Sequence, residues 1–160
     1  LAERLGIDAD RCDRIEIAGL LHDIGKLLLT QYVTDAQKKR PGVRGSTVEI
    51  ERQLVGIDHT EAGALVTAKW NLSTEVQEII KAHHDCRSQG DPRQAAVVRL
   101  ADTVAHSRGL GYLPGKAPAD APLPEDLQLL GLQDPSVWSS VQNELNATID
   151  GAVAALARLA

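Results

Sequence analysis

Helix-start signals recur at short intervals along this chain, and almost nothing in it alternates like a strand. Asp8 or Asp10, Ser46, Asp58, Ser73 or Thr74, Asp91 and Asp134 each precede a stretch whose apolar residues repeat at helical spacing. Their side chains are of the type that accepts hydrogen bonds from the orphan N–H groups of a helix N-terminus. Ser46-Thr47-Val48-Glu49 and Asp58-His59-Thr60-Glu61 read as capping boxes. Asp91-Pro92 and Asp134-Pro135 place proline at the first helical position. Gly6, Gly56 and Gly131 stand where such helices stop, Gly25 is positioned to end or bend one, and Pro41-Gly42 with Gly45 marks a loop. Phe is absent and aromatics make up 2% of the chain, so the core must be built from Leu, Ile, Val and Ala. That composition favours helices over sheets. The expectation is an all-α fold, a helical bundle forming a single domain over residues 1–160, with a mobile loop over 109–124. Leu1 to Leu5 read as the end of a helix begun upstream. With no Met in the chain, the sequence is expected to be a fragment whose N-terminal helices are missing.

The formal charge is -5, and no dense cluster of Lys or Arg is present. Lys38-Lys39-Arg40 reads as a solvated helix end, so no nucleic-acid partner is expected. Cys12 and Cys86 stand far apart and outside any Cys-x-x-Cys spacing, which fits a reduced, cytoplasmic chain. No apolar stretch is long enough to span a membrane.

Against that background one run is anomalous. Ala18-Gly19-Leu20-Leu21-His22-Asp23-Ile24-Gly25-Lys26-Leu27-Leu28-Leu29 sets an imidazole, a carboxylate and an ammonium inside an apolar segment. Buried charged groups are costly unless they are paired or bind a metal. His59 falls in the first turn of a helix, His83 and His84 at the end of another, and Asp102 in the middle of an apolar one. Brought together, these groups make a transition-metal site of mixed nitrogen and oxygen character. His22, Asp23, His59, His83, His84 and Asp102 are the candidate ligands, for one or two divalent ions, iron, manganese or a similar transition metal rather than magnesium. Lys26 lies four residues after His22 and, being protonated, is no ligand; it can neutralise a phosphate oxygen or orient a carboxylate, so it suits an anionic, phosphorylated partner and is the candidate catalytic residue. Asp102 also has a purely structural reading, as a helix–helix hydrogen bond. Asp58 and Glu61 are explained as caps and Asp85 as an exposed helix end; His106, four residues after Asp102, could approach the site but reads first as a solvated imidazole. Cys86 is not expected to be a ligand.

These residues carry a resemblance. Leu20-Leu21-His22-Asp23-Ile24-Gly25-Lys26 resembles the signature of the HD superfamily of metal-dependent phosphohydrolases. Glu51 to Gly56, Ile57-Asp58-His59-Thr60-Glu61-Ala62-Gly63-Ala64, Lys69-Trp70-Asn71-Leu72, Ala82-His83-His84-Asp85, Leu100-Ala101-Asp102 and Leu129-Leu130-Gly131-Leu132 are similar to the HDOD branch, the HD-related output domain. The resemblance implies an all-helical bundle with a role in bacterial signalling, acting on a regulatory protein or a fused signalling domain. It also implies a further His ligand upstream of Leu1. The alternative it leaves open is an active phosphohydrolase acting on a phosphoester such as a nucleotide or cyclic dinucleotide. The related HD-GYP branch carries Gly-Tyr-Pro soon after its His-His pair, and Cys86 to Pro92 contain no such motif. Gly111-Tyr112-Leu113-Pro114 is similar in letters only.

Overall fold

A computed structural model describes residues 1–85, 90–110 and 121–158 of the chain. The described residues form helices α1 (Ala9–Leu21), α2 (Ile24–Lys39), α3 (Thr47–Val55), α4 (His59–Lys69), α5 (Thr74–Ala82), α6 (Pro92–Ser107), α7 (Pro124–Leu129) and α8 (Pro135–Ala157), preceded by a 3-10 turn at Glu3–Leu5. No strand occurs among them. The fold is all-α, as the capping pattern predicts.

The caps act where the sequence places them. Asp8 accepts from the Arg11 N–H, Ser73 from Val76, Asp91 from Arg93, and Asp134 from Ser136 and Val137. Ser46 and Glu49 close a reciprocal capping box, and Gly56 ends α3 with φ 86°. Asp58 caps α4 by accepting from Thr60 and Glu61. Its box is not closed: Glu61 lies 3.6 Å from Arg52, which also pairs with Asp58 at 2.6 Å.

Gly25 departs from expectation. It neither ends nor bends a helix but lies in the first turn of α2. The break falls one step earlier, on His22 and Asp23 themselves, with Asp23 at φ -98°, ψ 6°. Glycine is required at 25 for close approach: a Cβ there would collide with the His59 carbonyl oxygen and come within 2.8 Å of the Gly63 nitrogen. The α2 and α4 backbones therefore touch at this point. Across α4, a Cβ on Gly63 would meet Ile80 Cγ2 at 3.0 Å, so the Ile80 side chain of α5 packs directly on the α4 backbone there.

The apolar core lies on the other side of α5. Ile15 and Ala18 of α1, Val76, Ile79 and Ile80 of α5, and Ala96, Val97 and Leu100 of α6 are buried together with Leu130, Leu132 and Val141. Burying the Ile, Val and Leu side chains among them contributes about 1.5–3 kcal/mol each before chain entropy is counted. This scaffold brings four points to one place: the α1–α2 break, the start of α4, the end of α5 and the middle of α6. The loop expected over 109–124 falls largely outside the described residues, as do Cys86 and Gly111-Tyr112-Leu113-Pro114.

Candidate metal centre

Each of the four points contributes polar groups. The helix break turns His22 and Asp23 inward together, where an unbroken helix would have splayed them about 100° apart. The His22 Nδ1 lies 2.8 Å from the Gly19 carbonyl oxygen. The His59 Nδ1 lies 2.6 Å from Glu51 Oε2, and the His83 Nδ1 lies 2.6 Å from the Ile80 carbonyl oxygen. These oxygens can only accept, the Glu51 group as a carboxylate, so each Nδ1 carries the proton and donates. In each neutral ring Nε2 is then left with a lone pair.

All three Nε2 atoms point at acidic oxygens. His59 Nε2 is 3.6 Å and His83 Nε2 3.7 Å from Asp23 Oδ1. His22 Nε2 is 3.5 Å from Asp23 Oδ2 and 3.4 Å from Asp102 Oδ1. The contacts to Asp23 are longer than good hydrogen bonds. They match the separation of two ligands that share one ion at about 2.1 Å each. His22 Nε2, His59 Nε2, His83 Nε2 and Asp23 Oδ1 are buried and have no hydrogen-bond partner in the protein. Lone pairs facing a carboxylate repel, and a cation between them removes the repulsion. The residues present therefore fit a metal ion. Asp23, His59, His83 and His84 each offer a ligand atom, all within 4.8 Å of one another. His22 and Asp102 adjoin this group through the other oxygen of Asp23, so that one carboxylate faces both halves of the cluster. The rings pack accordingly, with centroids 4.9 Å apart for His22 and His83 and 4.2 Å apart for His83 and His84.

Electrostatics follow from this crowding. Burial alone raises the Asp23 carboxyl, but His83, His22 and Lys26 outweigh it and hold it well below the ordinary carboxylate range. Burial alone raises the Asp102 carboxyl too, but His22 and His106 outweigh it and hold it down. Burial pushes the His83 imidazole down and outweighs the opposing pull of Asp23 and of the Ile80 carbonyl. The His84 imidazole is lowered as well, by the packing of its inner edge and by His83, His59 and Lys26. Its outer edge is exposed to solvent, which moderates the effect. Burial alone lowers His22, but Asp102 and Asp23 outweigh it and raise it.

Lys26 is one turn from the break and nearly buried, with Nζ 2.6 Å from Asp23 Oδ2. Within the protein its partner is the Asp23 carboxylate, which it orients. For His106 the approach to the site is the reading that holds, with Nδ1 3.1 Å from Asp102 Oδ1. A spacing of four residues puts both on one face of α6. Glu51 is the residue that sequence reasoning missed. Its Oε2 accepts from the His59 backbone N–H at 2.8 Å as well as from the ring. The signal was present: Glu51 sits three residues from both Val48 and Leu54, on the inward face of α3.

The HDOD domain family model matches residues 1–86, more than half of the chain. This chain belongs to the HDOD family. The curated relatives it matches include Ribonuclease Y of Pseudothermotoga lettingae, 32% identical, and those of Fervidobacterium nodosum and Mycoplasma capricolum, each 30% identical. Each match runs over 108 residues, 68% of this chain and 16% of the relative. The chain thus spans under a fifth of those proteins. No solved structure matches it. Among the described residues, no helix is long and apolar enough to cross a membrane.

Proposed function

We propose that this chain is a bacterial, cytoplasmic HDOD regulatory module that holds one or two divalent transition-metal ions. The carrying observation is the set of imidazoles pinned through Nδ1, with unpartnered Nε2 atoms turned on Asp23. Asp23, His59, His83 and His84 would hold the first ion; His22 and Asp102, with the second oxygen of Asp23, would hold another. Imidazole-rich sites favour iron or manganese over magnesium. An ion bound there would lower the pKa of a water and polarise a phosphoryl oxygen. The partner on this reading is a regulatory protein or a fused signalling domain.

The second reading, a phosphohydrolase, is favoured by one observation. Lys26 sets an ammonium against the cluster, where it can turn from Asp23 to a phosphate oxygen. The similarity to proteins named Ribonuclease Y supports phosphoester chemistry. The net charge of -5 weighs against a polyanionic RNA and for a small phosphorylated ligand. Two measurements test the proposal. Metal analysis of protein expressed with iron or manganese is expected to find bound metal in the parent and none in a folded Asp23→Ala variant. Equal metal content in both would refute the site. Turnover of bis(p-nitrophenyl) phosphate by the loaded parent, abolished in Asp23→Ala, would establish the second reading over the first.

A further inference from the structure

We propose that Arg99 and Asp126 form a positioning pair that sets the His83–His84 dipeptide and couples the docking of α7 to the metal centre. The inference rests on the reading that the cluster binds a metal. Arg99 lies in a run of buried residues in α6 and is itself 6% exposed. Its Nη1 donates to the Ala82 carbonyl at 2.9 Å and to the Asp85 carbonyl at 3.2 Å. Those two carbonyls flank His83 and His84, so one guanidinium brackets the dipeptide. The Ala82 carbonyl at the end of α5 accepts from the Asp85 backbone N–H at 2.9 Å and from Arg99 as well, so the guanidinium ties down the turn that carries His83 and His84. The Ile80 carbonyl of the same turn is already taken by His83 Nδ1. Backbone and ring are thereby fixed together where both imidazoles leave the helix.

The other side of the guanidinium is held by Asp126 of α7, which is 2% exposed. Arg99 Nε donates to Oδ2 at 3.0 Å and to Oδ1 at 3.2 Å, and Nη2 donates to Oδ1 at 2.6 Å. A planar fork used on two edges at once is work a lysine cannot do. Without the Asp126 carboxylate the guanidinium would be a buried charge stripped of this bidentate partner, and it would be drawn towards water. The bracket on His83 and His84 would loosen as it moved. Coupling between two sites is reciprocal, so a metal that fixes His83 and His84 also favours the docked position of α7. Both members of the pair lie beyond residues 1–86, the stretch matched by the family model.

The test titrates Co(II) into the whole chain and into three variants: Asp126→Asn, Arg99→Lys and Val141→Ala. The last is a core change in α8, where Val141 is 1% exposed, and serves as a control for general destabilisation. Loss of an outer partner of a metal ligand usually weakens binding about 10–100-fold. That loss is expected in Asp126→Asn and Arg99→Lys, with a shifted Co(II) visible spectrum at saturation; Val141→Ala should bind as the parent does. Folded variants with parental affinity and spectrum would overturn the inference while leaving the metal site standing. An equal loss in Val141→Ala would overturn it too, as would a parent that binds no Co(II), which would also remove the metal reading. Where the variants fail to fold, hydrogen exchange of the parent decides. Co(II) is expected to slow exchange in α7, and unchanged α7 exchange with the metal bound would overturn the coupling.

Discussion

Glu51 offers the sharpest test of the site because its two substitutions differ in a calculable way. The carboxylate is 5% exposed and accepts two bonds on one oxygen, from the His59 backbone N–H and from Nδ1. In Glu51→Gln the amide oxygen can take both bonds, since the backbone N–H forbids the flipped amide. Only the charge assistance is lost, about 1 kcal/mol per bond when charged and neutral hydrogen bonds are compared. A loss of about 2 kcal/mol is expected. In Glu51→Ala both donors are buried without a partner, at about 1–3 kcal/mol each, and a cavity is added. The expected loss is about 3–6 kcal/mol. Urea unfolding of the metal-free protein measures the difference. Metal affinity should fall about 10–100-fold in Glu51→Gln, because the carboxylate raises the basicity of the ring and fixes its tautomer. Two variants equal in stability to the parent and to each other would refute the reasoning, for then His59 does not depend on Glu51.

Three further outcomes are expected. Lys26→Ala should leave metal content unchanged or raised, because the ammonium competes with an ion for Asp23 Oδ2, while cutting any phosphodiester turnover; loss of metal in a folded variant would contradict this. The metal-free chain should lose stability on acidification. His83 is held below its ordinary 6.5, so its contribution is complete above that pH and is lost as pH falls below it. Asp58 is held below 3.8, where hydrogen bonds from Thr60 and Glu61 and the Arg52 charge outweigh its burial, and it adds a second loss below that pH. His22, being raised, acts with the opposite sign: its contribution is present below 6.5 and lost as pH rises through its folded value. His22→Ala should therefore show a steeper acid loss than the parent in urea midpoints, and a shallower one would reverse the assignment. Gly25→Ala should melt lower by about 1–3 kcal/mol or more and lose metal, since α2 must back away from α4 and carry Asp23 with it; a parental melting curve would show that the helices do not touch there.

What the sequence by itself determined is local. A cap is a bond between a side chain and a backbone group two or three residues away. Asp8, Ser46, Asp58, Ser73, Asp91 and Asp134 therefore announced their helices without any knowledge of the rest. The residues of the centre were legible for a related reason: histidines and acids stand out against apolar runs that give them no packing role. Tertiary structure decided the rest. Nothing local told whether Gly25 served a turn or a contact, because the obstacle is the His59 carbonyl oxygen on another helix. Lys26 with Asp23, and His106 with Asp102, are local pairs set by spacings of three and four residues, but the fold decided that both carboxylates turn towards the same histidines. The tautomers of His22, His59 and His83 follow from oxygens at Gly19, Glu51 and Ile80, and only for Glu51 does that oxygen come from another helix. Arg99 and Asp126 are 27 residues apart and meet only because α7 docks beside α6. A buried charge shows in sequence as an anomaly, but its partner is chosen by which backbones pack together, and that choice is made by the whole fold.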